Sequence, residues 1–220
     1  MSGKPINVGQ FAEEFAGAAP QFDAAGGRVA VALYRELAKG AAVPLARLAA
    51  LLDVPPEAVA SALSASTVFY DGSGAVTGFR GLALGEVSPH RLRVDGVTLY
   101  TWCAWDSLFI PGILGRTAEV VSRDPTAGAP ISLRVGPDRV EHVDPAGTVL
   151  SFLAPERRLD RDVIRNFCHF VHFFGSAENG RTWTAAHPGT FLLSVEDAFA
   201  LGRLTNARNF GGALGAITAS

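Results

Sequence analysis

Two cysteines and one aspartate carry most of the chemical potential of this 220-residue chain. Cys103 lies in Leu99-Tyr100-Thr101-Trp102-Cys103-Ala104-Trp105-Asp106, and Cys168 lies in Asn166-Phe167-Cys168-His169-Phe170-Val171-His172-Phe173-Phe174. Thiolates are soft ligands that favour copper(I), zinc or a heavier thiophilic metal over hard cations. Asp106 follows Cys103 by three residues, which puts both side chains on one side of a helical turn. A carboxylate beside a thiolate feels a like charge and partial burial, and both favour its protonated form. Two thiols with such a carboxyl could therefore couple metal capture to proton transfer, provided the fold brings Cys168 to the other two.

Blander uses of the same residues compete with that one. A free cysteine is often a small buried hydrophobe, and two cysteines could form a disulfide in an oxidising compartment. Cys103, Asp106, Cys168 and His172 could supply four zinc ligands, although neither cysteine belongs to a CxxC pair and no HExxH motif is present. The missing CxxC also counts against a dithiol redox site. His169 and His172 otherwise read as histidines at the edge of the core, and Trp102 and Trp105 as packing around the site, an apolar wall suited to an alkyl or aryl group.

Composition narrows the partners. With 48% hydrophobic residues the chain can bury a substantial core without disulfide staples. A net charge of −2 gives no electrostatic case for nucleic acid or an anionic membrane. The apolar run from Ser107 to Leu114 is broken by Pro111 and Gly112 and falls short of the roughly 20 residues that span a bilayer. The N-terminus has no apolar stretch before Glu13 and Glu14 and does not read as a signal peptide. The cytoplasm is the expected compartment, and a small or neutral molecule the expected partner.

Hydrophobic spacing predicts the elements that must position the site. A short helix is expected near Phe11 to Ala18, then a linker to residue 27. Val29, Leu33 and Leu37 recur at helical spacing over Arg28 to Lys39, with Gly40 as the stop. Further helices are expected over Pro44 to Leu52 and Pro56 to Ser64. Thr67–Tyr70, the turn Asp71-Gly72-Ser73-Gly74 and Ala75–Phe79 read as a hairpin. Three helices and a hairpin suggest a winged helix-turn-helix module. Its last helix carries no Arg, Lys, Asn or Gln with which to read bases, and Arg80 is the one obvious basic residue near the wing, so a packing role is expected rather than DNA binding.

Beyond Gly85 the pattern changes to strands. His90–Val94, the turn Asp95-Gly96 and Val97–Trp102 form a second hairpin, with Cys103 at or just past its end. A helical turn from Ala104 to Phe109 is expected to stop before Pro111. Strands follow at Ala118–Ser122, Ile131–Val135, Val140–Val143 and Thr148–Leu153. Glu156–Val163 reads as helix. Phe167–Phe174 reads as a buried strand whose alternation puts Cys168, Phe170, His172 and Phe174 on one face. A final helix is expected over Ser194–Leu201, N-capped by Ser194, before a poorly ordered Gly-rich tail.

Three separate motifs, in order, carry a family resemblance. Tyr100-Thr101-Trp102-Cys103-Ala104-Trp105-Asp106, then Ile113-Leu114-Gly115-Arg116-Thr117-Ala118, then Phe167-Cys168-His169 with His172-Phe173-Phe174 resemble the organomercurial (alkylmercury) lyases, over roughly residues 28 to 205. The resemblance implies cleavage of a carbon–mercury bond by protonolysis to a hydrocarbon and Hg(II), with Cys103, Cys168 and Asp106 as catalytic and mercury-binding residues. It implies no organic cofactor, turnover with low-molecular-weight thiols, and handoff of Hg(II) to thiols or a mercuric reductase. Some members carry a further cysteine beside the second catalytic one, where this chain has His169, a difference that bears on product handoff. The alternative function is a metal-sensing winged-helix regulator or a zinc protein built on the same cysteines.

The expected fold class is α+β. The expected organisation is an N-terminal helix and linker (1–27), a winged helix-turn-helix-like module (28–84), a mixed, mainly antiparallel β catalytic region with flanking helices (85–208) and a flexible tail (209–220).

Overall fold

The computed structural model describes residues 7–18, 21–153 and 162–216. The chain opens with α1 (Val8–Ala18) and α2 (Ala24–Leu37), followed by two short helices, α3 (Leu45–Leu52) and α4 (Pro56–Leu63). Asp23 N-caps α2 by accepting a hydrogen bond from the Gly26 amide at 2.7 Å. The Ala-Ala-Gly-Gly stretch expected to be a linker is therefore the first turn of this helix. Val29 through Tyr34 are all buried, because α2 packs against α3, α4 and the two later helices Asp106–Leu114 and Val195–Ala216.

An eight-stranded antiparallel sheet follows the helices, in the order β1-β2-β3-β5-β4-β6-β7-β8. Its strands are β1 (Val68–Tyr70), β2 (Val76–Phe79), β3 (Leu82–Ala83), β4 (Arg91–Val94), β5 (Val97–Thr101), β6 (Ala118–Arg123), β7 (Pro130–Val135) and β8 (Val140–Asp144). Two of its hairpins turn on two residues with positive φ, the geometry that suits the twist of antiparallel strands. Asp95-Gly96 joins β4 to β5, as the Asp-Gly pair predicts, and Arg80-Gly81 joins β2 to β3. The burial of β6 alternates strictly, one face in the core and one in solvent.

A second antiparallel sheet has the order β10-β9-β11, formed by β9 (Val149–Leu153), β10 (Phe173–Phe174) and β11 (Thr190–Ser194). The helices α5 (Asp106–Leu114), α6 (Val163–Asn166), α7 (Ala177–Ala186) and α8 (Val195–Ala216) complete a mixed α+β fold. One continuous apolar cluster runs from α1 through both sheets to α8. Among the described residues no helix is long and apolar enough to cross a membrane.

Beyond α2, the structure departs from the sequence expectations at three places. α5 does not stop before Pro111 but runs through it to Leu114, with Gly115 as a left-handed C-cap. Leu108, Ile110, Ile113 and Leu114 are all buried, and packing on that scale outweighs the one backbone bond that proline removes. Phe167–Phe174 is not a strand: Cys168–Phe170 forms a 3-10 turn and pairing is confined to Phe173 and Phe174. The Gly-rich run from Asn209 is helical to Ala216, and Asn209, Phe210 and Ala213 are buried. The helix expected over Glu156–Val163 lies largely outside the described residues. Three elements had no sequence expectation at all: β3, α7 and β11.

Candidate active site

Cys103 sits two residues beyond β5, in a turn whose groups are closely tied. The Trp102 amide donates to the Gly81 carbonyl at 2.9 Å, and the Thr101 hydroxyl to the Cys103 carbonyl at 3.0 Å. The Ser107 hydroxyl donates to the Ala104 carbonyl at 2.6 Å. Asp106 opens α5 and turns its carboxylate back to accept from the Cys103 amide at 2.8 Å. This is the use of an acidic residue at a helix start to satisfy a free amide. It fixes the carboxylate beside the thiol three residues earlier.

Cys168 arrives on the 3-10 turn. The Val171 amide donates to the Cys168 carbonyl at 3.1 Å, while the Val171 carbonyl accepts from the Ala104 amide, also at 3.1 Å. That second bond ties the two cysteine segments together. From β9, the Ser151 hydroxyl donates to the Phe170 carbonyl at 2.8 Å and accepts from the His172 amide at 3.0 Å. The ligand atoms of Cys103, Asp106 and Cys168 consequently lie within 4.8 Å of one another. All three residues are buried, at 0%, 6% and 5% exposure respectively.

His172, expected as a possible fourth metal ligand, is not in this group. Its Nε2 hydrogen-bonds the His169 carbonyl at 2.8 Å, and its ring packs between His90 and Trp183. His169, adjacent to Cys168, is exposed.

Burial is the first influence on the protonation of Asp106 and Cys103. It drives the Asp106 carboxyl up to about 7, although hydrogen bonds from the Cys103 thiol and from the Cys103 and Trp102 backbone pull the other way. Cys103 is raised well above an ordinary thiol by burial first, then by contact with Cys168 and the negative charge of Asp106. Cys168 is treated differently. Contact with Cys103 favours its thiolate, and burial together with Asp106 leaves it raised all the same. Near neutral pH both thiols hold their protons while Asp106 stands close to its midpoint, poised to accept or release one.

A cavity of about 100 Å³ opens onto this group, and Cys168 and Asp106 line it. Cys103 does not line it and lies behind them. Phe15, Trp105, Phe109 and Phe167 give the cavity an aromatic wall, and Phe15 meets Trp105 edge-on with ring centroids 4.9 Å apart. The Trp105 indole is held by a hydrogen bond to the Ala198 carbonyl at 2.9 Å, and Gly202 lets α8 close on Phe109, since a Cβ there would lie 2.7 Å from that side chain's own Cβ.

Two contributions escaped the sequence. Phe15, from the short helix expected near Phe11 to Ala18, forms part of the wall, and the Phe11/Phe15 pair at helical spacing is the signal that points to it. Gly81 is the other: a Cβ there would stand 2.6 Å from Asp106 Oδ1, and its φ is +100°. The Arg80-Gly81 pair following the β2 run was the turn signal that could have exposed it.

Comparison with known proteins shows the family. A family model described as MerB, alkylmercury lyase, matches residues 85–206. An alkylmercury lyase of Pseudomonas putida is 42% identical over 175 residues, covering 79% of this chain and 81% of the relative. That of Streptomyces lividans is 41% identical over 177 residues, covering 80% of each. The mercury-bound crystal structure of MerB2 shares the fold, with a TM-score of 0.70 at 20% identity over 90% of this chain and 96% of that one. A sequence match of this depth, spanning both cysteine segments and the intervening sheet, places the chain in the alkylmercury lyase family.

Proposed function

We propose that Cys103, Cys168 and Asp106 are the residues with which this lyase cleaves carbon–mercury bonds. The supporting observation is the buried convergence of two thiols and a carboxyl within 4.8 Å, beside a cavity with an aromatic wall that Cys168 and Asp106 line. The substrate enters as R–Hg–SR′, a mercurial already carried by a small thiol. Cys168, the thiol that lines the cavity, meets it first. It bonds to mercury, and its proton leaves with the displaced R′SH. Cys103 then adds from behind and passes its proton to the Asp106 carboxylate. A second thiolate raises electron density at mercury and weakens the bond to carbon. Asp106 delivers the proton to that carbon, releasing RH and leaving Hg(II) on both sulfurs. The balance is R–Hg–SR′ plus two protein thiols giving RH, R′SH and a mercury dithiolate.

Mercury is here a substrate, and no organic cofactor enters the scheme. Exchange with two solvent thiols frees the protein thiols, and a mercuric reductase is the proposed acceptor of the product. The exposed position of His169 beside Cys168 bears on that handoff. We read α2 to α4 with the β1–β2 hairpin as a winged-helix module in a packing role, residues 85–208 as the catalytic region, and the cytoplasm as the working compartment. A metal-sensing regulator or a zinc protein is the less favoured reading.

The test is to incubate the purified protein with phenylmercury and excess thiol and to measure benzene. Benzene from wild type, and none from Cys168→Ser, is expected. No benzene from wild type would overturn the lyase reading, and full activity in Cys168→Ser would overturn the assigned mechanism.

A further inference from the structure

The cavity that exposes Cys168 and Asp106 is apolar along α1 and α5, yet another part of its lining is polar and short of partners. Asn206 and Asn209 from α8, Trp102, and Ser66 from the segment after α4 all line it. Asn206 Oδ1, Asn209 Oδ1, Trp102 Nε1 and Ser66 Oγ are each buried with no hydrogen-bond partner among the described residues. Asn206, Asn209 and Trp102 are themselves only 5%, 8% and 5% exposed. A buried polar atom without a partner is costly, so several around one cavity call for an occupant that answers them. The orientation of Asn206 is fixed independently. Its Nδ2 donates to the Phe109 carbonyl at 2.8 Å, leaving the oxygen as the free end of the amide.

We propose that this polar lining is a subsite for a hydrogen-bond-donating group, a hydroxyl above all, on the mercurial held at Cys168 and Asp106. The proposal deepens the lyase reading and rests on it. The chemistry of the four atoms selects the ligand. Two asparagine oxygens accept, the indole N–H donates, and the serine hydroxyl does either. A hydroxyl matches that set because it gives its hydrogen to an asparagine oxygen and receives one from the indole. A carboxylate could meet Arg80, which also lines the cavity, but it has no hydrogen to give at neutral pH and leaves both asparagine oxygens unanswered. A site built to hydrogen-bond a substrate hydroxyl discriminates against the analogue that lacks one, because its own buried groups then go unpaired. The donor group could sit on the organic group cleaved or on the thiol that carries it.

Two substrates with the same ring oxygen, one of them capped by a methyl group, separate the outcomes, and the Asn206 variants separate the lost donor from the added methyl. 3-Hydroxyphenylmercury and 3-methoxyphenylmercury both present an oxygen at the same ring position, and the first alone donates. With ethanethiol as the sole thiol, kcat/KM should favour the hydroxyl compound by about three- to tenfold, the size of one net hydrogen bond. Asn206→Leu should bring the ratio close to one, and Asn206→Asp, which keeps an accepting oxygen, should retain it. The ratio compares two substrates on one protein, so a partly unfolded variant does not obscure it. In a second arm, phenylmercury is presented with 2-mercaptoethanol and with ethanethiol. A preference appearing there and not between the aryl compounds assigns the same subsite to the carrying thiol.

Ratios of one in both arms on wild type overturn the subsite and mean that water alone fills the polar lining. So does a preference that survives both Asn206→Leu and Asn209→Leu. In either case hydrocarbon release from the aryl substrates continues and the lyase reading stands. Absence of hydrocarbon from every substrate overturns both.

Discussion

Cys103 and Cys168 share one chemistry and differ in how the fold holds them. Cys103 is completely buried, in a turn tied by the Gly81 carbonyl, the Thr101 hydroxyl and the Asp106 carboxylate. Cys168 rides a three-residue 3-10 turn steadied by Ser151 and faces the cavity. The protonation of the two thiols differs in degree: burial holds Cys103 well above an ordinary thiol, while at Cys168 contact with Cys103 opposes burial and Asp106 and leaves it raised less strongly. On the proposed mechanism, capture and cleavage are divided between the sulfur that lines the cavity and the one behind it. A pair of equally exposed thiols would bind mercury without any reason for the carboxyl to lie against one of them.

The largest effect should come from removing the two sulfurs one at a time. Both Cys103→Ser and Cys168→Ser should lose turnover of phenylmercury on the order of 10³-fold or more. They should differ in what intact-mass spectrometry sees. Cys103→Ser should retain a phenylmercury adduct on Cys168 without releasing benzene, whereas adduct formation itself should slow in Cys168→Ser. Equal adduct rates in both variants would erase the distinction between the two thiols.

Asp106 allows a second comparison, read in stability against pH. Its carboxyl is raised from 3.8 in the unfolded reference to about 7 in the fold, so below pH 4 both states hold the proton and burial carries no penalty. As pH rises, the unfolded chain ionises first, and stability is lost across pH 4 to 7 until the folded group has ionised too. The loss is of order 4 kcal/mol when complete. Asp106→Asn should therefore gain in Tm relative to wild type between pH 4 and pH 8 and show no such trend below pH 4. A difference independent of pH would mean that Asp106 is not held neutral by burial.

Gly81→Ala tests the Cys103 half. The added methyl meets Asp106 Oδ1 at 2.6 Å on a backbone with φ of +100°, so a stability loss of about 1–3 kcal/mol is expected. Benzene release should fall more than adduct formation, because the displaced group is the carboxyl and not Cys168. Ser151→Ala tests the other half and should be the mildest, about 1–2 kcal/mol by chemical denaturation, as it leaves the Phe170 carbonyl and the His172 amide without their partner. Its kinetic signature should be the reverse, slower capture with the cleavage step intact.

The same two regions differ in how far they could be read from sequence. The β4–β5 hairpin has alternating strands and an Asp-Gly turn, so the position of Cys103 just past a strand end and of Asp106 on its helix followed from local pattern. Around Cys168 the local signal pointed the wrong way. Six aromatic or histidine side chains among the eight residues of Phe167–Phe174 suggest a strand. Their environment is instead set by tertiary partners, Ser151 on β9 and Val171 against Ala104. α8 was truncated for a related reason: glycine lowers helix propensity, and burial of Phe210 and Ala213 restores what propensity withholds. The proximity of the two cysteines, on which the chemistry depends, joins segments more than sixty residues apart and was supplied by the family resemblance and not by any local pattern.

The central claim is that Asp106 delivers the proton that breaks the carbon–mercury bond, and single-turnover protonolysis by Asp106→Asn tests it most directly. Asparagine keeps the shape and an accepting oxygen for the Cys103 amide but carries no transferable proton. With phenylmercury already captured, as verified by intact mass, benzene release should fall by about 10²–10⁴-fold at every pH measured. Release at the wild-type rate from that captured adduct would contradict the account and leave Asp106 a structural residue.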